Sequence, residues 1–258
     1  MAPILKHRAF ENIYIFATFK FYMKSILIVI FLCLGINFAC AQTYEFGLIF
    51  GATNFVGDVG SPSFIQPKDY LNQDKVSYGA ILKWNRSPRH AFRFTAMRLN
   101  TFGNDLRADE PRKLSRGYAF ETDITELSLG IEFNFFEWDL HELNRPLFTP
   151  YIYTGPTYFF TNEYYVENNV LVEGGSTSNF AIPMLIGVKG TLSRKWILAA
   201  EFGARYTFTD NLDGSEPEEI NSRTNYPTFG NSNMNDWYFF SGITLTYTFG
   251  RKPCYCNL

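Results

Sequence analysis

From Asp236 to Phe249 the chain reads DWYFFSGITLTYTF, and its residues alternate between two unlike sets. Trp237, Phe239, Ser241, Ile243, Leu245, Tyr247 and Phe249 form one set; Tyr238, Phe240, Gly242, Thr244, Thr246 and Thr248 form the other. A period of two puts the sets on opposite faces of a strand. One face is large and apolar, aromatic at both ends and aliphatic between. The other turns small and polar after Phe240. A membrane β-barrel strand needs such a lipid face, flanked by aromatic girdles and backed by a polar interior. A strand of a soluble sandwich alternates as well, so the rest of the chain must separate the two.

The pattern recurs over 44–51, 76–84, 90–99, 122–136, 149–160, 180–190 and 196–208, giving about eight strands. Each is near the ~9–11 residues that cross a bilayer. In 149–160 both faces are aromatic, which leaves its register open. The connections alternate long and short. Long polar stretches begin near Ala52, Asn100, Thr161 and Thr209, and the third is expected to run to Asn179 without a strand. Short connections cover 85–89, 137–148 and 191–195. Outer-membrane barrels show this asymmetry, with long extracellular loops and short periplasmic turns. No connection has the apolar helical period of a crossover helix, which argues against a parallel α/β sheet. Aromatic residues make up 18% of the chain, an excess that suits strands with aromatic belts.

The polar faces carry a second constraint. Lys83, Arg93, Lys189 and Arg205 share the inward parity with Glu45, Glu126, Glu132 and Glu201. A small barrel has no open channel, so buried charges there need partners of opposite sign. Four basic and four acidic candidates balance. In a sandwich the same charges would face water. Loop asymmetry, Trp and Tyr at strand ends, and an export leader favour an all-β fold, an antiparallel up-and-down transmembrane β-barrel of about eight strands. The closing strand is expected to pair with 44–51.

The leader begins at Met23-Lys24, followed by SILIVIFLCLGINFACAQ. A positive start, an apolar centre and small residues at Ala39 and Ala41 make a secretory signal peptide over 23–41, with Gln42 the mature N-terminus. Residues 1–22 read as an over-called extension with Met23 the initiator. An anchor helix and a lipoprotein at Cys40 are the alternatives; the run is short for a span, and Asn37 stands where a lipobox usually has Leu. The barrel proper is assigned to 42–249 and a periplasmic tail to 250–258, localising the protein to the outer membrane.

Catalytic signatures are missing. His7 precedes the leader, and His90 and His141 fall at expected turns. Asp210-Asn211-Leu212-Asp213-Gly214 lacks the spacing and terminal Glu of a calcium loop and reads as a turn. Glu216, Glu218 and Glu219 read as a solvated patch. No cofactor or metal is expected. The 23 Lys and Arg against 25 Asp and Glu leave net charge −2, with no basic surface for nucleic acid. Cys254 and Cys256 follow Arg251 and Lys252 beyond the last strand. In an oxidising compartment they could form a local bridge, an intermolecular bond or two thiols; a tether or docking tail is the favoured reading.

Four stretches carry a family resemblance: KWNRSPRHAFRF (83–94), ITELSLGIEFNFF (124–136), EFGARYTFTDNLDG (201–214) and TLTYTFGRKPCYC (244–256). Together they resemble PorG, the small outer-membrane barrel of the type IX secretion system of Bacteroidetes-type bacteria. The resemblance covers nearly all of the mature chain. It implies a non-enzymatic barrel in outer-membrane lipid that anchors or organises a periplasmic ring of PorK-like and PorN-like subunits, beside the secretion translocon. Contacts would then fall on the periplasmic face, with Arg86, Arg89, Arg251, Lys252, Cys254 and Cys256 as candidate partner-binding residues. The alternatives are an independent small porin or adhesin, and a membrane enzyme, which the missing nucleophile–base pair disfavours.

Overall fold

A computed structural model describes residues 43–61, 76–140, 147–215, 227–230 and 235–250. The strands are β1 (Thr43–Val56), β2 (Ser77–Asn85), β3 (His90–Asn104), β4 (Ala119–Asn134), β5 (Phe148–Thr154), β6 (Thr157–Glu167), β7 (Val170–Thr191), β8 (Trp196–Thr207) and β9 (Trp237–Phe249). All pairings are antiparallel. β1 pairs with both β2 and β9, and β3 pairs with β4, so the sheet closes on itself. Closure leaves no free edge within the ring, which a spanning sheet requires.

β5 and β6 are one strand in two pieces. Ile131 faces Thr154 and Ser128 faces Thr157, which is a single unbroken register against β4. The interruption is Gly155-Pro156. Pro156 has no N–H to give, but its carbonyl accepts from Leu129 N at 3.1 Å. Gly130 and Gly155 cross here so closely that a Cβ on either would strike the other strand's backbone. The ring therefore has eight strands, and β1 closes against β9 with Tyr44 opposite Phe249.

The outward faces are apolar and exposed: Leu48, Ile131, Ile186 and Ile243 are each about half exposed. An aromatic belt bounds this band at each end. At the short-turn end Tyr44 stacks on Phe249 at 5.8 Å, Trp84 on Phe92 at 5.2 Å, and Trp196 meets Tyr247 at 5.2 Å. At the long-loop end Tyr158 meets Phe180 at 4.9 Å and Tyr206 meets Trp237 at 4.9 Å. β9 joins the two belts with 13 residues. At ~3.4 Å per residue and a tilt of about 40°, that rises about 30 Å, the thickness of a hydrocarbon core.

The long-loop end is more ordered than the sequence suggests. The stretch from Thr161 to Asn179, expected as a loop, is a β-hairpin: β6 and β7 stay paired from Thr161↔Thr177 to Glu167↔Val170. Asn168 and Asn169 turn it with φ of 52° and 62°, the left-handed pair of a two-residue hairpin turn. The ribbon extends beyond the ring, since β7 meets β8 only from Ala181 onward and β6 meets β4 only up to Phe160. Residues 100–118 also exceed a loop. β3 and β4 stay paired out to Asn104↔Ala119. Between them lie a 3-10 turn (Asp105–Arg107) and a short helix α1 (Pro111–Arg116), tied by Arg116 Nε to Asp105 Oδ2 at 2.7 Å. These outer segments bury polar side chains such as Thr101, Thr122 and Glu163 beside apolar ones such as Phe120 and Tyr164, which blurs the apolar alternation that marks a spanning strand.

The turn makes a test. Asn169→Gly should keep the ribbon, because glycine accepts positive φ freely. Asn169→Val should cost about 1–2 kcal/mol and speed amide exchange at Glu167 and Val170; equal exchange in both variants would show that this turn does not hold the ribbon.

Candidate functional site

Inward-facing residues fill the ring. Lys83, Arg93, Glu132 and Lys189 are at most 1% exposed, so no water-wide passage runs beside them. Glu132, from β4, is the hub. Lys83 Nζ lies 2.7 Å from its Oε2, Lys189 Nζ 2.6 Å from its Oε1, and Arg93 Nη1 3.7 Å from Oε2. These cations come from β2, β7 and β3. Arg93 also grips Glu201 of β8 through two parallel bonds of 2.8 and 2.9 Å. This bidentate fork is the strongest ion-pair geometry available to arginine. Arg93 Nε donates to Thr95 Oγ1 at 3.0 Å.

A second pair lies apart from the hub. Arg205 Nη2 donates to Glu126 Oε1 at 3.1 Å, and Tyr238 OH donates to Glu126 Oε2 at 2.8 Å. Glu45 has neutral partners: Asn85 Nδ2 and Thr246 Oγ1, each at 2.8 Å. All eight charged residues of inward parity thus stand inside the ring, on six strands.

Three tyrosines complete the network, and none was singled out from sequence. Tyr151 OH donates to Glu201 Oε1 at 2.5 Å, and its ring faces Lys83 and Lys189, both at 5.2 Å. Tyr153 OH meets Ser128 Oγ at 2.5 Å, with the Arg93 guanidinium 4.6 Å over its ring. Tyr238 is the third. The inward register of β5, through Thr149, Tyr151 and Tyr153, resolves the one strand whose alternation was aromatic on both faces.

Both mouths are covered. At the short-turn end Trp138 folds back from the β4–β5 connection and is 2% exposed. Its amide donates to Pro88 O at 3.0 Å, and its ring lies 5.8 Å from Lys189 Nζ. At the long-loop end the lumen is apolar, in line with Tyr238 and Phe240 preceding the polar part of the inner face of β9. Met97, Leu99, Ile124, Phe159, Tyr238 and Phe240 pack with Val59 and Leu212 from the loops into one buried cluster. The stretch 210–214, expected as a turn, takes part in this closure with Ser215: Asp210, Asn211, Leu212, Asp213 and Ser215 are all buried.

Of the candidate partner-binding residues, Arg86 and Arg89 are exposed on the β2–β3 turn. Arg89 braces two turns, donating from Nη1 to Phe135 O at 2.9 Å and pairing with Glu137 at 3.3 Å. Arg251, Lys252, Cys254 and Cys256 lie outside the described residues, as do the leader, the extension 1–22, His141 and Glu216, Glu218 and Glu219. His90 is exposed and meets Ser87 Oγ at 3.3 Å. Among the described residues no group of three or more His, Cys, Asp or Glu is placed to hold a metal ion.

A closed eight-stranded ring, an apolar exterior between two aromatic belts and an ion-paired interior define a transmembrane β-barrel. The chain belongs to the family described as a domain of unknown function (DUF6089), which matches residues 24–258. No curated protein matches the sequence. Solved structures similar to it include the N-terminal β-barrel domain of OprF from Pseudomonas aeruginosa, at 10% identity over 81% of this chain and 99% of that one, with a TM-score of 0.42. Neisserial surface protein A is 10% identical over 80% and 97%, with a TM-score of 0.45. A major outer membrane protein of Thermus thermophilus is 13% identical over 80% and 99%, with a TM-score of 0.43.

The network predicts a stability effect. Arg205→Leu leaves Glu126 buried with only the Tyr238 hydroxyl, and should cost about 3–5 kcal/mol, read as a lower denaturant midpoint in lipid. Adding Glu126→Gln should recover much of it. An unchanged midpoint in the single variant would show that the pair is not holding the barrel.

Proposed function

We propose that this chain is a non-enzymatic outer-membrane barrel that anchors or organises a periplasmic ring of the type IX protein secretion apparatus. The observation that carries the reading is the filled lumen. A barrel whose interior is packed with paired charges and covered at both mouths has to act through its ends or its lipid-facing wall. The motifs at 83–94, 124–136, 201–214 and 244–256, which resemble PorG, supply the system.

In this reading the signal at 23–41 exports the chain, and the short-turn end faces the periplasm. That end presents Arg86 and Arg89 beside the braced 135–138 segment, and the tail with Arg251, Lys252, Cys254 and Cys256 follows β9 directly in sequence. PorK-like and PorN-like ring subunits and the translocon are the partners. The aliphatic band and its aromatic belts hold this face at a fixed depth in outer-membrane lipid. A second reading, an independent adhesin, draws on the β6–β7 ribbon that extends beyond the ring; the filled lumen weighs against a porin.

Affinity capture from gently solubilised membranes tests the choice. The full chain should bring down ring subunits, and Arg86→Glu with Arg89→Glu should lose them while the barrel stays folded. A chain that always purifies alone would contradict the secretion reading. Loss of surface attachment on deleting 163–174, with ring recovery absent, would favour the adhesin.

A further inference from the structure

The β8–β9 connection closes the long-loop mouth with carboxylates. Asp213 and Asp236 are both fully buried, outside the strands. Asp213 Oδ2 accepts from Val59 N at 2.9 Å, and its Oδ1 from Ser215 N at 3.0 Å. Asp236 Oδ2 accepts from Leu212 N at 2.9 Å. These bonds join three segments far apart in sequence: the start of the β1–β2 loop, residues 210–215, and the residue that opens β9. The second oxygen of Asp236 is buried and has no hydrogen-bond partner among the described residues. It lies against Gly57, where the space has no room for a Cβ.

Among the described residues, the surrounding charges do not neutralise this pair. Asp58 and Asp210 add negative charge toward Asp236. Lys113 Nζ is directed to Gly57 O at 3.4 Å and Gly60 O at 2.8 Å. Arg116 is held by Asp105 at 2.7 and 3.0 Å and by Asp58 O at 2.7 Å. Glu163 accepts from Asn211 Nδ2 at 2.8 Å. Among the described residues, no ammonium or guanidinium bonds to Asp213 or Asp236. Two ionised carboxylates in a dry site without a counter-charge are strongly disfavoured. Among the described residues no group of three or more carboxylates, His or Cys is placed to hold a metal ion here, and a proton is the cation that a buried carboxylate takes up directly.

We propose that the buried pair Asp213 and Asp236 holds one proton when residues 210–215 close over the outer mouth, and so forms a pH-sensitive latch. Burial, and for Asp236 also the neighbouring Asp213 charge, pushes both carboxyls above the ordinary carboxylate range, Asp236 furthest. The closed latch therefore binds the proton more tightly than the open one. Its stability is full below the ordinary carboxylate pKa and is lost as pH rises through the raised closed-state value. Between those limits opening releases one proton, so closure weakens up to about tenfold per pH unit. Opening frees Leu212 and Val59 from the apolar cluster that covers the mouth.

Hydrogen exchange of the full chain in lipid nanodiscs tests the latch. After correction for intrinsic rates, protection of the Leu212 and Val59 amides should fall with rising pH by up to about tenfold per unit. Asp236→Asn, which imitates the protonated acid, should keep the protection and flatten its pH profile. Asp213→Asn provides the same readout if the first variant folds poorly. A flat profile in the unaltered chain overturns the proposal, as does a slope that survives in both variants. Protection that calcium restores at high pH and a chelator removes would also overturn it, assigning the site to a divalent cation.

Discussion

The structure depends on burying charge inside a small ring without leaving any of it alone. Glu132 is the clearest case: one carboxylate meets Lys83, Lys189 and Arg93, contributed by three different strands. A buried ion pair adds little net stability over an apolar core, but losing one partner is costly. The network therefore specifies more than it stabilises. A slip of one residue in β2, β3, β4, β7 or β8 would turn its lumenal charge out toward lipid and an aliphatic side chain in. The apolar exterior and the charged interior thus select the same register from opposite sides of the wall.

That arrangement also decides what the barrel can be used for. The ion-paired layer fills the middle, Trp138 covers one mouth, and the apolar cluster with residues 210–215 covers the other. The two ends differ in chemistry. The short-turn end is a compact brace of turns tied through Arg89 and Pro88. The long-loop end combines an aromatic core, a buried acidic pair and a projecting ribbon. A rigid wall with two dissimilar closed ends suits a component that positions other molecules.

The spanning strands were legible because lipid on one side and packed side chains on the other impose a strict period of two. The parity of Lys83, Arg93, Glu126, Glu132, Lys189, Glu201 and Arg205 could be read in the same way, though not which carboxylate each cation meets, since partners come from strands up to 108 residues apart. Tyr151 and Tyr153 were hidden because 149–160 carries aromatics on both faces. The β6–β7 ribbon was hidden for a different reason: its buried side chains, Glu163, Tyr164 and Val166, mix polar with apolar types, and its sign was the Asn168-Asn169 pair. The burial of Asp213 had no local signal, because its partner Val59 is 154 residues away. The candidate residues of the tail lie outside the described part of the chain.

The central claim is that the lumen is closed by its own side chains, and single-channel recording in planar bilayers tests it most directly. The folded protein should insert without stepwise conductance. Trp138→Ala combined with Lys189→Ala and Glu132→Ala, which empties the short-turn half of the interior, should raise leakage above the unaltered chain. Stable, ion-selective steps from the unaltered barrel would contradict the account and return the protein to the porins.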